Sequence, residues 1–400
     1  MLFTPERHEP VTDSPFSEAG ARSAIARIVA RAEAELDRAD GSWPLDPDDR
    51  ETEDEESTAM LYHGASGIVW GLGELAGGPL LDREFVERLA SKLAAEVDPP
   101  DFSEHGVWFG LAGALAVAEH FWPDESRRDR LAELARANLA DPALEMMFGH
   151  PGYMALAAEL HARTGEERWG EIWGAGADRL FAEWQHDEEL GAWCWTQNLN
   201  GKDARYVGAA HGLLGNIHVL LRGGDLLETE RRSEVEQRVV ETLTSLAVVE
   251  DGFANWPTDV GDSLVDEKDG RIRVQWCHGA VGVVTTLWSV APDDEAWTEL
   301  LLAGGRLVWE AGPIRDAPGL CHGTAGNAYA FLALWRRTGD EEWLERARSF
   351  AWHALEQTDA RRERLGHARH SLFTGDEGVA MCLASCIAGE AAFPIVDGLI

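Results

Sequence analysis

Two kinds of helical segment alternate along the chain. The first kind is apolar on all sides, rich in small residues, and follows a Gly-x-x-Gly motif, as in "GASGIVWGLGEL" and "GTAGNAYAFL". The second kind is amphipathic, with apolar residues every three or four positions, as in "REFVERLASKLAAEV" (83–97) and "EEWLERARSFAWHALEQ" (341–357). Because a helix that is apolar all round must be buried, the first kind is predicted to lie inside the second. Strand signals are scarce, so the predicted fold class is all-α.

The Gly-x-x-Gly motif recurs seven times, which predicts a repeat architecture. Its first glycines are separated by 39 to 67 residues, enough for two helices and two loops, and they are Gly64, Gly110, Gly149, Gly212, Gly279, Gly323 and Gly375. Seven buried helices surrounded by seven outer helices predict an α/α toroid closed on itself. We assign residues 59–400 to this single toroid domain and residues 1–58 to an acidic N-terminal segment with the first outer helix.

Such a toroid brings the seven loops before the glycines to one end, where their side chains converge. Cys277 and Cys321 lie two positions before the first glycine of adjacent repeats. Two thiolates and an imidazole are a ligand set for zinc, with one position left for water or substrate, and helix N-termini favour thiolates. A closed structural site of four ligands and a set of buried cysteines with core histidines remain alternatives. Four repeats place a histidine directly before the glycine: His63, His211, His278 and His322.

Three further residues are candidates for the chemistry of this site. His211 faces the same cavity from the repeat before Cys277, so it is either an acid/base group or a core histidine. Arg273 precedes Cys277 by four residues, and Arg271 is an equally good candidate from the sequence. Glu145 lies four residues before Gly149 and either orients His211 or is exposed.

Charge and composition exclude several classes of partner. The formal charge is −36, from 71 acidic and 35 basic residues, so nucleic acid and anionic lipid are repelled. The acidic surface is explained by solubility, as in a salty cytoplasm, or by a basic partner. No apolar stretch reaches the length of a membrane span, and the N-terminus does not resemble a signal peptide, so we expect a cytoplasmic protein without disulfides.

The motifs "WCHGAVG", "CHGTAGNAYAFL" and "AHGLLGN" resemble those of the LanC-like family, which includes lanthionine cyclases and eukaryotic LanC-like glutathione transferases. The resemblance covers residues 60–390 and implies a seven-plus-seven α-toroid with one catalytic Zn²⁺. It implies Cys277, Cys321 and His322 as zinc ligands, with His278 beside the metal in contact with substrate. It also implies catalytic roles for His211, Arg273 and Glu145.

The resemblance further implies zinc-dependent addition of a thiol to dehydroalanine or dehydrobutyrine, which forms a thioether. The partners would be a dehydrated peptide or protein, a thiol donor such as a peptide cysteine or glutathione, and a dehydratase on a separate chain. In the glutathione-binding branch a basic pair precedes the second cysteine motif. Here the pair reads Arg315-Asp316, which reverses one charge, and Arg7 is a possible counterpart of an N-terminal arginine.

Functions of other classes remain open from the sequence. A non-catalytic zinc-binding scaffold would keep the ligands and lose the chemistry. An α/α-barrel glycosidase would use the 17 tryptophans for sugar stacking, but it needs two carboxylates at the hole. Zinc prenyltransferases have a similar barrel, but their resemblance predicts an Asp-Cys-His ligand set.

Overall fold

The chain folds into helices that follow one another as the sequence pattern predicts. The computed structural model describes residues 1–36, 42–50, 56–78, 106–199, 201–266 and 269–400. The α-helices within these residues are α1 (Glu18–Glu35), α2 (Ala65–Ala76), α3 (Leu111–Phe121), α4 (Glu125–Asn138), α5 (His150–Thr164), α6 (Glu167–Glu183), α7 (Leu213–Arg222), α8 (Thr229–Leu246), α9 (Ala280–Leu287), α10 (Glu295–Ala311), α11 (Thr324–Thr338), α12 (Glu341–Leu365) and α13 (Asp376–Ala388).

The seven helices that begin after the Gly-x-x-Gly glycines form a closed inner ring of α2, α3, α5, α7, α9, α11 and α13. Neighbouring inner helices contact each other from α5 to α13, α13 contacts α2, and α2 contacts α3. Between α3 and α5 the loops meet, because a Cβ atom at Gly106 would overlap the carbonyl of Met147. The outer helices α1, α4, α6, α8, α10 and α12 each pack against an inner helix.

These contacts confirm the predicted α/α toroid. The amphipathic segment 83–97, predicted as an outer helix, lies outside the described residues. Helix α1 contacts α13 and α2, so the N-terminal outer helix packs on the ring. The domain boundary between residues 58 and 59 stays a prediction.

The two positions of each motif require glycine for different structural reasons. In all seven repeats a Cβ atom on the second glycine would overlap the carbonyl oxygen of the residue six positions earlier, so the loop folds tightly over the first helical turn. Among the first glycines, Gly212 and Gly279 have φ angles of 137° and 89°, and residues with a side chain rarely adopt such backbone angles. These two glycines follow His211 and His278, so the backbone turns sharply beside both histidines.

Backbone hydrogen bonds join the loops that precede the inner helices. The N–H of Tyr62 donates to the carbonyl of Trp108 (3.1 Å), that of Cys277 to Cys321 (3.2 Å), and that of Cys321 to Phe373 (3.0 Å). Each bond links one repeat to the next around the ring. The loops are thus held together at one end, as the repeat pattern predicts.

Residues 393–400 fill the interior of the ring beneath these loops. The ring of Phe393 stacks on Trp276 with centroids 4.5 Å apart, and the indole of Trp70 donates a hydrogen bond to a carbonyl of this segment (3.0 Å). The Glu159 carboxylate accepts the N–H groups of the last two residues at 2.9 and 2.7 Å. Burial raises the pKa of Glu159 to about 7.

Three short antiparallel hairpins occupy the two longest intervals between motifs. They pair β1 (Gln185–Asp187) with β2 (Ala192–Cys194), β3 (Gln197–Leu199) with β4 (Lys202–Ala204), and β5 (Val248–Glu250) with β6 (Phe253–Asn255). The last hairpin supports the site, because Asn255 donates to the carbonyl of Arg273 (3.0 Å) and accepts the N–H of Ala280 (2.9 Å). Within the described ranges, no helix combines the length and the hydropathy needed to cross a membrane.

Candidate functional site

Two cysteines and a histidine meet at the loop end of the toroid. The donor atoms of Cys277, Cys321 and His322 all lie within 4.8 Å of one another. Both cysteines are buried, at 7% and 4% exposure, whereas His322 is exposed. His278 is not part of this group of donor atoms in the part of the chain that the structure describes. The group has the two soft sulfur ligands and one imidazole that suit zinc, and it reaches the surface through His322.

The two thiols form a coupled pair whose charges a cation would balance. A hydrogen bond from Cys321 lowers the pKa of Cys277, and the side-chain amide of Gln275 contributes by donating to the Cys277 sulfur at 2.9 Å. The same contact with Cys277, together with burial, raises the pKa of Cys321 well above its ordinary value. Without a positive ion the pair therefore ionises at one sulfur first. A divalent metal would favour both thiolates, so the donor set fits zinc.

Tyr62, which was not among the residues predicted from the sequence, also contacts the thiol pair. Burial raises the pKa of its hydroxyl, and interaction and hydrogen bonding with Cys321 raise it further. Its ring stacks on Phe373, with centroids 5.2 Å apart. A sequence signal was available, because Tyr62 in "LYHG" occupies the same repeat position as Cys277 and Cys321 in "WCHG" and "LCHG".

His211 and Glu145 form a hydrogen-bonded pair beside the cysteines. The Nδ1 atom of His211 lies 2.9 Å from Oε2 of Glu145, whose side chain is fully buried. The Glu145 carboxylate also accepts the backbone N–H groups of Met147 (3.0 Å) and Phe148 (2.6 Å), which fix its orientation. Burial alone would lower the pKa of His211, but the Glu145 carboxylate and the charge of Cys277 outweigh it and raise this pKa. The structure thus places Glu145 as a buried partner of His211.

Two buried asparagines anchor the loops that carry these residues. The side-chain amide of Asn216 in α7 donates to the carbonyl of Leu144 (3.0 Å), next to Glu145. The amide of Asn327 in α11 donates to the carbonyl of Val274 (3.0 Å), three residues before Cys277. Both asparagines follow the second glycine of their motif, so "GxxGN" marks repeats that hold the loop of the preceding repeat.

Several arginines surround the cysteine-histidine group. Arg273 is ion-paired through Nη2 with Asp266 (3.1 Å) and Asp269 (2.7 Å), and its charge contributes to the lowered pKa of Cys277. The charges of Arg369, Arg7 and Arg273 all act on the His322 ring. Burial and the neighbouring Arg271 and Arg273 lower the pKa of Arg7, while Asp269 acts in the opposite direction, so these side chains form a mixed cluster of charges.

The remaining predicted residues lie at different places around this group. His278 is half-buried, and its ring lies 5.9 Å from that of Tyr206. The Arg315 guanidinium donates to the carbonyls of Glu6 (3.3 Å) and His8 (2.7 Å), so it binds the N-terminal segment. Asp316 pairs with Arg364 at 3.1 Å. Arg315 therefore fixes the segment that carries Arg7, and its contact with a substrate stays a prediction.

Comparison with known proteins identifies relatives of this chain. The family described as "Lanthionine synthetase C-like protein" matches residues 55–397. A glutathione S-transferase LANCL1 from Danio rerio is 35% identical over 148 residues, which are 36% of this chain and 34% of that protein. The LanC-like protein GCL1 from Arabidopsis thaliana is 36% identical over 186 residues, 45% of this chain and 40% of its own. The chain therefore matches between a third and two fifths of the length of these relatives.

A solved structure shares the complete fold. The structure titled "Nisin cyclase" superposes with a TM-score of 0.59, covering 92% of this chain and 94% of that one, at 15% sequence identity. At this identity the likeness shows the α/α toroid alone.

Proposed function

Because the chain belongs to the lanthionine synthetase C-like family, we propose that it adds a thiol to the β-carbon of a dehydroalanine or dehydrobutyrine residue and so forms a thioether. The observation that carries this proposal is the meeting of Cys277, Cys321 and His322 beside the His211–Glu145 pair. The name of the LANCL1 relative, a glutathione S-transferase, and the toroid shared with nisin cyclase support a thiol as substrate.

We propose that Cys277, Cys321 and His322 hold a zinc ion. When bound, zinc supplies Lewis acidity that lowers the pKa of a substrate thiol, so that the thiolate forms near neutral pH. The Gln275 amide keeps Cys277 in place by its bond to the sulfur, and the Cys277 N–H fixes the neighbouring loop through the Cys321 carbonyl.

His211 is the proposed proton donor. Addition of the thiolate sulfur to the β-carbon breaks the π bond of the carbon–carbon double bond and moves its electron pair to the α-carbon and the adjoining carbonyl. The thiol releases its proton to solvent, His211 gives a proton to the α-carbon, and solvent reprotonates His211. The net reaction is addition of the S–H group across the double bond. Glu145 holds Nδ1 of His211, which leaves the Nε2 side of the ring to deliver the proton, and the raised pKa of His211 favours its protonated form.

Arg273 is the proposed partner for the charge that develops on the carbonyl oxygen. Its guanidinium lies close enough to influence Cys277 electrostatically, and two aspartates bound to Nη2 orient it. His278 is proposed to contact the substrate from the neighbouring loop. The thiol is proposed to come from a cysteine of the same peptide or from a free thiol such as glutathione, and the Arg7 guanidinium is the proposed partner for a carboxylate of a free thiol.

The alternative of a glycosidase has little support in this arrangement. It requires two carboxylates that reach the substrate, and Glu145 is fully buried with its oxygens occupied by His211 and two backbone N–H groups. A non-catalytic zinc scaffold would share the metal group, so activity has to separate it from the enzyme.

The test combines metal content with thioether formation. We expect one zinc per purified chain, complete loss of zinc in Cys277→Ala and retention in the matched His278→Ala variant. Wild-type protein and both variants are then incubated with a dehydroalanine peptide, either carrying its own cysteine or with added glutathione. Cyclisation leaves the peptide mass unchanged, so unreacted thiols are alkylated before mass spectrometry, and the cyclised product is the peptide that gains no alkyl group. Addition of glutathione is read directly as the gain of its mass. Wild type without stoichiometric zinc contradicts the metal assignment. Equal zinc loss in both variants indicates a four-ligand structural site. Full zinc without any thioether product favours the scaffold.

A further inference from the structure

Three aromatic side chains form a continuous wall along one side of the site, beginning beside Cys321. This aromatic wall consists of Tyr62, Phe109 and Phe148, which precede the inner helices of the first three repeats. The rings of Tyr62 and Phe109 are 5.4 Å apart, and those of Phe109 and Phe148 are 4.8 Å apart and nearly parallel at 19°. The Phe148 ring in turn stacks on His211 at 5.6 Å and 18°. The wall therefore runs from Cys321, which Tyr62 contacts, to the proposed proton donor.

Stacking leaves mainly ring edges for a ligand to meet. Phe148 has its faces against Phe109 and His211, and Tyr62 stacks on Phe373 and is tilted by 38° to Phe109. All three side chains of the wall remain half-buried. Ring edges carry a partial positive charge and attract carbonyl oxygens and the π faces of flat conjugated groups. Phe109 and Phe148 bring no hydrogen-bonding group in their side chains. This side of the site therefore selects by apolar contact and shape.

The other side of the site carries charged side chains. Arg273 pairs with Asp266 (3.1 Å) and Asp269 (2.7 Å), and Arg369 pairs with Asp49 (2.6 Å). Polar and charged portions of the substrates are favoured on that side. The contrast between an apolar side and a charged side orients the reactants.

From this geometry we infer that the aromatic wall binds an apolar side chain next to the dehydrated residue of a peptide substrate. The inference rests on the proposed function, because His211 must face the α-carbon that it protonates. Since Phe148 stacks on His211, the residue adjoining that α-carbon lies along Phe148 and Phe109. The wall thereby sets specificity: peptides with a phenylalanine or leucine beside the dehydrated residue bind more tightly than those with serine or aspartate.

A binding measurement tests this without any chemistry. Isothermal titration calorimetry of the full chain would use two unreactive peptide amides, acetyl-Phe-Ala-Phe and acetyl-Ser-Ala-Ser, in which alanine replaces the dehydrated residue. We expect wild type to bind the phenylalanine peptide about tenfold more tightly, as apolar pockets discriminate on this scale. Phe109→Ser should remove this preference, and Phe109→Leu should retain part of it. Phe181→Ser is the matched control, because Phe181 lies on the outer helix α6 under Arg231 and should leave the preference unchanged.

Thermal unfolding and zinc content of each variant show whether the fold survives. Wild type that binds neither peptide at millimolar concentration, or binds both equally, overturns the inference. So does a Phe109→Ser variant that stays folded and keeps the preference. Because the peptides cannot react, a protein that shows the preference but forms no thioether would refute the proposed function and leave the wall's binding role intact.

Discussion

The molecule contains two histidine–glutamate pairs with almost the same hydrogen-bond distance. His211 Nδ1 lies 2.9 Å from Glu145, and His370 Nδ1 lies 2.8 Å from Glu377. Both glutamates are fully buried. Both also accept a hydrogen bond from the loop before an inner helix, Glu145 from the N–H of Met147 and Glu377 from the N–H of Ser371. Hydrogen-bond distance alone therefore does not distinguish a reactive pair from a structural one.

The second ring nitrogen and the exposure separate the two pairs. The His211 side chain is 29% exposed, and its contacts beyond Glu145 include the face of Phe148. The His370 side chain is 3% exposed, and its Nε2 atom lies 2.8 Å from Glu35, so the ring joins α1 to α13. One pair thus has a nitrogen available at the site, while the other uses both nitrogens to fasten the N-terminal outer helix.

The largest expected effect is on the rate, in His211→Asn. A well-placed general acid contributes roughly 10²–10⁴ in rate, so we expect a loss of that size in thiol addition to a dehydroalanine peptide, with zinc and thermal stability retained. Mass spectrometry of product and elemental analysis of the same sample measure both. Wild-type turnover would place His211 with His370 as a structural residue, and loss of zinc would make it a support of the metal.

The reverse result is expected for His370→Leu. This change leaves the Glu377 carboxylate buried without its partner, which costs about 3 kcal/mol of unfolding free energy by analogy with other buried pairs. Urea unfolding at pH 6.5 measures it, and turnover of the folded protein at 25 °C should stay within about twofold of wild type, because His370 makes no contact in the site. A His370→Leu variant with unchanged stability but lost activity would contradict the structural role assigned to His370.

The Glu145→Gln variant tests whether the charge of the carboxylate acts through the pKa of His211. The glutamine retains one carbonyl oxygen, which accepts one of the two loop N–H groups, and it removes the charge that raises the pKa of His211. Thermal unfolding of the variant shows whether the lost acceptor affects the fold. Less His211 is then protonated at neutral pH, and we expect a rate about tenfold to a hundredfold lower at pH 7.5. Lowering the pH should recover part of the loss relative to wild type. A rate profile parallel to that of wild type would show that the charge does not act through His211.

The smallest expected effect is a pH dependence of stability. Burial alone would lower the pKa of His370, but Glu377 and Glu35 outweigh it and raise it to about 9. A group with a raised pKa stabilises the fold fully below its unfolded value, about 6.5, and loses this contribution as the pH rises towards 9. We expect the stability difference between wild type and His370→Leu to shrink by about 1–2 kcal/mol over that range, because partly exposed Glu35 is screened by solvent.

Asp376 adds its own pH dependence, which the comparison with His370→Leu alone does not remove. Burial raises the pKa of Asp376 to about 7 and the charge of His370 lowers it, so loss of His370 would raise this pKa further. Both proteins are therefore compared in an Asp376→Asn background. A constant difference between wild type and His370→Leu from pH 6.5 to 9 would contradict the assignment.

The sequence predicted the parts of the molecule that repeat and missed the parts that do not. The seven inner helices follow from the Gly-x-x-Gly pattern, and the meeting of Cys277 and Cys321 follows from their equal place in adjacent repeats. Glu145 was left open between a partner of His211 and an exposed acid, because nothing local reveals that two backbone N–H groups bury its carboxylate. The pairing of His370 with Glu35 spans 335 residues and belongs to no repeat.

Other features depend on contacts that sequence spacing does not encode. The two aspartates on Arg273 come from the loop before it, and their geometry depends on how that loop folds back. Tyr62 carried a signal in its repeat position, but a tyrosine in place of a cysteine was not recognised as part of the same set.

The segment 393–400 limits the direction from which the site can be reached. Its Phe393 ring stacks on that of Trp276, the residue before Cys277, with centroids 4.5 Å apart, so the segment packs directly beneath the cysteine loops. Under the proposed function, a peptide substrate therefore approaches the cysteines from the loop end of the ring, and the product departs by the same end. Several thioethers on one peptide would accordingly require separate binding events, each following release of the previous product.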